Sequence, residues 1–298
     1  MEWVVFALLA ALLWAVESVT DKILISKFIK DEYVMTIVWA FLQLLVIFVL
    51  LFHSLNISNI FMVFLAIVGG VISMFAAVPY FKALKLEEAS RVIPLIHFSP
   101  LIVLVLSFVF LGERLSSYQM VAFFLILIGG FLLSLRNIKG VFTLKRAFWL
   151  MMFVALLAAI SQILLKYVYT YSSFLDGFFW FKVGAFFGGG VLLLIKKNRD
   201  NFVKSMNVIK SKNFMIIILG VGIVSFVGSL SFNYAIKLGP VSLVSVLDGI
   251  APVFILIITI LLSKYFPKIL KEEIDKKVLL TKAFAIALMI WGLWLLYM

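Results

Sequence analysis

Polar residues along this chain come in short clusters. Between them run apolar stretches at roughly 2–21, 33–52, 60–82, 90–111, 116–135, 146–168, 174–195, 213–236, 240–262 and 278–297. Each stretch holds 18 residues or more, and about 20 apolar residues in helical form cross the hydrocarbon core of a bilayer. Backbone N–H and C=O groups inside hydrocarbon must find partners within the protein, which leaves helices or closed barrels. The stretches are continuously apolar rather than alternating, which excludes a barrel. The pattern therefore predicts an all-α integral membrane protein with ten transmembrane helices, the first of them interrupted by Glu17.

Composition agrees with this reading. Of 298 residues, 65% are hydrophobic and 13% charged, too few charges to cover the surface of a soluble domain this size. The net charge of +12 has no nucleic-acid pattern, because the basic residues sit in the gaps between apolar stretches. Loops at 21–32, 82–91, 136–146, 196–212 and 263–282 hold 22 of the 26 Lys and Arg residues, whereas the alternate loops hold Arg114, Lys166 and Lys237. Cytoplasmic loops collect positive charge, which places both termini outside the cytoplasm in a multi-pass plasma membrane protein, a prokaryotic cell membrane being the expected location. Cysteine is absent, which excludes disulfides and thiolate metal sites. Met1–Thr20 lacks a basic leading segment and runs into Asp21-Lys22, so it is expected to stay in the protein as a span.

Internal repetition is visible without gaps. An offset of 152 residues aligns Ala83-Leu84-Lys85-Leu86 with Ala235-Ile236-Lys237-Leu238, and Ser90, Val92, Leu95 and Pro100 with Ser242, Val244, Leu247 and Pro252. It also pairs Gly70 with Gly222 and Ser73 with Ser225. An offset of 144 pairs Ala15, Glu17 and Lys22 with Ala159, Ser161 and Lys166; one of 162 pairs Gly130 with Gly292, the difference reflecting an insertion at 263–276. The expectation is two five-helix units, 1–137 and 144–298. Five is odd, so the second unit enters the membrane from the opposite side. Such inverted repeats are a transporter signature, in which two halves rock about a central site.

Tyr80-Phe81-Lys82-Ala83-Leu84-Lys85, followed by Ala89-Ser90, Ser99-Pro100 and Leu111-Gly112-Glu113-Arg114-Leu115, resembles the EamA repeat of the drug/metabolite transporter superfamily. The second half echoes it in Asn233-Tyr234-Ala235-Ile236-Lys237-Leu238-Gly239-Pro240 and Ala251-Pro252, and Trp14 and Lys22 resemble the aromatic and basic positions of that family's first helix. The resemblance implies a ten-helix bundle whose first, third and fourth helices in each repeat line a central cavity. The implied substrates are amino acids, metabolites and drugs. The chain departs from the family in two ways. Leu262-Ser263-Lys264 replaces Leu-Gly-Glu in the second half, and the loop charges oppose the cytoplasmic termini expected of ten-span relatives.

Ionisable side chains inside a span are costly and face the bundle interior or a wet cavity. Glu17 is a candidate for binding substrate or a proton; its plainer reading is a carboxylate paired with Lys22. Asp248, before Gly249 and Pro252, is a candidate of the same kind; its plainer reading is a cap on a proline break. His97, between Pro94 and Pro100, has an imidazole suited to proton transfer near neutrality or to a structural hydrogen bond. Trp14, Tyr80, Gln162, Asn233 and Tyr234 are further candidates on expected cavity helices, aromatic residues in membranes being more often packing or lipid-facing groups. Ser73 and Ser225 either contact substrate or permit close helix approach. Gly69-Gly70, Gly188-Gly189-Gly190, Gly220 and Gly222 read as packing faces, and Glu113-Arg114 as a local ion pair.

No protease, hydrolase or nucleotide-binding motif is present, so an enzyme, a cofactor and a bound metal are not expected. The expected function is a secondary transporter, most simply an exporter, moving a small metabolite, amino acid or drug-like solute by alternating access, with a proton as candidate coupling ion. The expected partners are that solute and the lipid bilayer, with no nucleic acid, for a monomer or homodimer. Alternatives are a sugar-phosphate or nucleotide-sugar carrier, for which Lys182 is the candidate phosphate ligand inside a span, a membrane-embedded lipid-acting enzyme, and a scaffold subunit.

Overall fold

The computed structural model describes residues 2–56, 59–86, 93–134, 145–265 and 276–297. The expected repeat boundary at 137–144, Ser90, Val92 and most of the insertion at 263–276 lie outside them, as do the side chains of Lys22 and His97.

Every regular element among the described residues is helical. In the first half, α1 is Glu2–Ile23, α2 Glu32–Leu42, α3 Ile60–Leu86, α4 Ser99–Leu111 and α5 Ser117–Ser134. The second half contains α6 (Lys145–Tyr171), α7 (Phe174–Gly190), two short helices α8 (Lys196–Lys204) and α9 (Met206–Ile209), α10 (Lys212–Leu238), α11 (Val241–Leu247), α12 (Ala251–Tyr265) and α13 (Lys276–Leu295). Seven segments are long and apolar enough to cross a membrane, and Ser99–Leu111, Ser117–Leu133 and Lys282–Leu295 are shorter apolar helices. Leu51, Ile60, Phe61, Phe108 and Phe110 are more than half exposed, a surface that only lipid solvates at low cost.

Three irregularities follow from named residues. Gln43–Leu51 continues α2 as a tighter 3-10 turn. Pro252 has no N–H to give the carbonyl of Asp248, four residues back, so Asp248–Ile250 tightens into a 3-10 turn in which Ala251 N–H satisfies that carbonyl. The expected ninth span is thus two helices, α11 and α12, meeting at Asp248. The repeat-related Pro100 likewise stands at the junction of a 3-10 segment, Ile93–Phe98, with α4.

At the ends carrying the basic loops, Asp31 caps α2 by accepting from Tyr33 N (2.9 Å) and Val34 N (3.1 Å). Its other oxygen accepts from Asn201 Nδ2 at 2.8 Å, which docks the basic helix α8 onto α2. Lys85, at the end of α3, pairs with Glu32. Three of the basic loops therefore gather at one end of the bundle.

Packing is organised by α3, which lies along both α6 and α7. Glycines set the second approach: a Cβ at Gly70 would lie 1.9 Å from Phe181 O, and one at Gly184 would lie 2.2 Å from Ile67 O. Small residues let helix backbones touch where the hydrophobic effect cannot draw helices together. Gly188, Gly189 and Gly222 are similarly filled by neighbours, whereas a Cβ at Gly190 or Gly220 meets nothing within 4 Å, so those two are not packing positions. Gly70→Ala is expected to destabilise the protein by about 3 kcal/mol through overpacking against backbone, and Gly220→Ala to leave stability unchanged or slightly raised. Thermal unfolding of the two variants in detergent checks the contrast.

Candidate functional site

One cavity of about 380 Å³ lies among α1, α3, α4, α6, α10, α11 and α12. Its polar wall is built mainly by α1. Glu17 and Asp21 stand four residues apart, so they share one face of the helix, and both line the cavity with Trp14 and Ser18. Tyr80 and Ser73 come from α3, Gln162 from α6, and Asp248 from the α11–α12 break. Glu17 interacts electrostatically with Asp248 and with Lys182 of α7.

The structure brings six of the ten sequence candidates into this lining: Trp14, Glu17, Ser73, Tyr80, Gln162 and Asp248. Ser225 lies near Glu17 without lining the cavity, and Ser73 Oγ donates to Gly70 O at 2.8 Å. The side chain of His97 is not described, though Ile96 and Ser99 on either side line the cavity.

Asn233 and Tyr234 are not in the lining. Asn233 Oδ1 accepts from Tyr169 Oη at 3.0 Å, and its amide donates to Ser229 O at 2.8 Å. Tyr234 is wedged edge-on between Phe6 (4.9 Å) and Phe174 (5.0 Å). Both were expected on the cavity because they lie on a cavity helix, α10, but its cavity face carries Phe232. Lys182 lies outside the lining as well, donating to Gln43 Oε1 at 2.8 Å with its ammonium over the Phe178 ring.

Sequence reasoning missed four polar lining residues, Ser18, Asp21, Ser99 and Ser245. Asp21 was read as the start of a loop, but α1 runs on to Ile23, and Asp21 Oδ1 accepts from Trp39 Nε1 of α2 at 3.1 Å. Ser18, Ser99 and Ser245 carry no charge to mark them. Among the described residues, Ser99 Oγ, Glu17 Oε2 and Gln162 Oε1 are buried with no hydrogen-bond partner, three polar atoms aimed at the same space. The spacing of Glu17 and Asp21 was the available signal.

Most of the lining lies in the halves of the helices nearer the basic loops, with Phe232, Ser245 and Asp248 at the deep end. The opposite half is filled. There the Tyr169–Asn233 bond and the Phe6–Tyr234–Phe174 stack close the interior, and Trp3 packs on Gly239. Lys166 Nζ donates to the carbonyls of Ile236 (2.8 Å) and Gly239 (2.8 Å), a cation on the negative end of α10. Glu113 Oε2 accepts from Ser242 N at 3.4 Å, at the start of α11. No ion pair with Arg114 forms among the described residues; Glu113 instead spans the two halves.

An all-helical bundle with a polar cavity closed at one end defines a multi-pass integral membrane protein with a solute-sized interior site. Residues 1–135 match the model of the EamA-like transporter family, which is part of the drug/metabolite transporter superfamily. The chain is also 29% identical over 134 residues to an uncharacterized protein of Methanocaldococcus jannaschii, a match covering 45% of this chain and 97% of that protein. A solved crystal structure superposes with a TM-score of 0.68, covering 99% of this chain and 96% of the other, at 16% identity, a likeness of fold.

Burial raises the Glu113 carboxyl above the usual carboxylate range. The folded protein therefore favours the protonated acid, so the stability from this group is complete at acid pH and lost as pH rises from the ordinary value of 4.5 through the raised one. Glu113→Gln is expected to flatten that part of the profile, read as Tm against pH from about 4 to about 8.

Proposed function

We propose that this protein is a secondary transporter working by alternating access, with Glu17 and Asp248 binding a cationic group of the solute or a coupling proton. The observation that carries the reading is the convergence of carboxylates from α1 and from the α11–α12 break on one cavity that is closed on a single side. No Walker loop is present in the sequence, so the driving energy is an ion or solute gradient. No Lys or Arg lines the cavity among the described residues, and Lys182 is engaged by Gln43, which speaks against the sugar-phosphate alternative. Export, with the basic loops cytoplasmic and both termini outside, remains our assignment of direction and orientation.

Ten spans in two inverted units are part of the same proposal. Supporting it, exchanging α1, α2, α3, α4 and α5 with α6, α7, α10, α11–α12 and α13 maps the main packing pairs onto one another. The α3–α6 pair becomes α10–α1, α4–α6 becomes α11–α12 with α1, and α5–α13 maps to itself. The exception is α3–α7, an intimate pair whose counterpart, α10–α2, touches lightly. A protein open on one side and closed on the other breaks its internal symmetry in such a way. A relative only about as long as one half and a family match ending at residue 135 fit a unit of that size.

Uptake into proteoliposomes of labelled amino acids, organic cations and sugar phosphates, with and without an imposed pH gradient, tests the reading. Saturable uptake of a cation or zwitterion is expected, falling at least about tenfold in Glu17→Gln and in Asp248→Asn, as loss of a charged contact requires. Uptake unaffected by both substitutions sinks the carboxylate assignment, and uptake confined to sugar phosphates sinks the solute class.

A further inference from the structure

The third carboxylate in the cavity has no part in the function just described. Asp21 is 4% exposed, lines the cavity, and is held by the Trp39 indole through one oxygen, the other having no hydrogen bond among the described residues. Glu17, Asp21 and Asp248 together bring three negative charges when ionised. Lys182, across from Glu17, supplies one positive charge. Two negative charges remain to be matched inside a low-dielectric bundle, where an unmatched charge is expensive.

The geometry points to a linear aliphatic diamine as the solute, with one ammonium between Glu17 and Asp248 and the second on Asp21. This rests on the transporter reading above and narrows its substrate class. Four residues of helix advance about 6 Å, roughly the nitrogen-to-nitrogen span of an extended four-carbon diamine. Ala76, Ala77, Val154 and Ala158 line the same cavity and suit a run of methylenes. Ser99 Oγ, 5% exposed and without a partner among the described residues, supplies a free acceptor in the same wall. Trp14 and Tyr80 add ring faces that attract ammonium groups. A monoamine meets one end of this arrangement and leaves a carboxylate uncompensated, so the charge count itself confers selectivity.

The test is calorimetric titration of the full-length protein in detergent at neutral pH with putrescine, a four-carbon diamine, and with butylamine, its single-amine counterpart. Putrescine is expected to bind at least about tenfold tighter, the size of one added charged contact. In Asp21→Asn, which keeps an acceptor for the Trp39 N–H, the preference is expected to fall below about threefold with butylamine affinity little changed. Equal affinity of the two amines for the unaltered protein, or no binding of either, overturns the proposal without reference to any variant. Proteoliposome uptake separates this from the parent reading. Putrescine preferred in binding but never transported sinks transport and keeps the diamine site, whereas uptake of both amines at one affinity keeps transport and sinks the diamine site.

Discussion

An ionised side chain inside a bilayer has lost its water and must be given something in return. In this bundle that requirement decides where the helices cannot close up. Glu17, Asp21 and Asp248 keep a polar space open among seven helices, while elsewhere buried charges are consumed on the spot. Lys166 is spent on helix-end carbonyls, and Asp176 is bonded by His53 at 2.9 Å. The difference between a structural charge and a chemical one is whether the protein completes its coordination. Around the cavity it does not.

The remaining helices supply rigidity against which that open space can be defined. Backbone contact at Gly70 and Gly184 fuses α3 to α7, and Ser161 Oγ donates to Gly69 O at 2.9 Å, tying α6 to the same helix. In this arrangement α3 is held along both α6 and α7. In the alternating access proposed above, the lighter contact between α2 and α10 is where the second arrangement would form.

Much of this was readable from residues alone. Helical spans followed from apolar length, because lipid leaves the backbone few other solutions. Glu17 and Asp248 stood out because a carboxylate in hydrophobic sequence is rare enough to need a reason. Asp21 escaped because Lys22 follows it, and a neighbouring pair of charges looks like the end of a span; only the Trp39 indole, 18 residues away, reveals that the helix continues. Asn233 and Tyr234 misled for the opposite reason. Sequence assigns a residue to a helix, but adjacent positions point about 100° apart, and Phe232 took the cavity face. Gly190 and Gly220 show the same limit, since small residues mark close packing only where a neighbour arrives.

Ser161 occupies the position that Glu17 holds in the other half of the chain, and its hydroxyl is used up on a backbone carbonyl. The cavity's charge therefore has a single owner at that level, the first half. In the transporter proposed above, a cargo gripped there would keep the same handhold whichever mouth is open. It has no need to be passed from one wall to the other, nor to turn round on the way. On that reading the first half would be the jaw that keeps its hold, and the second the one that changes grip.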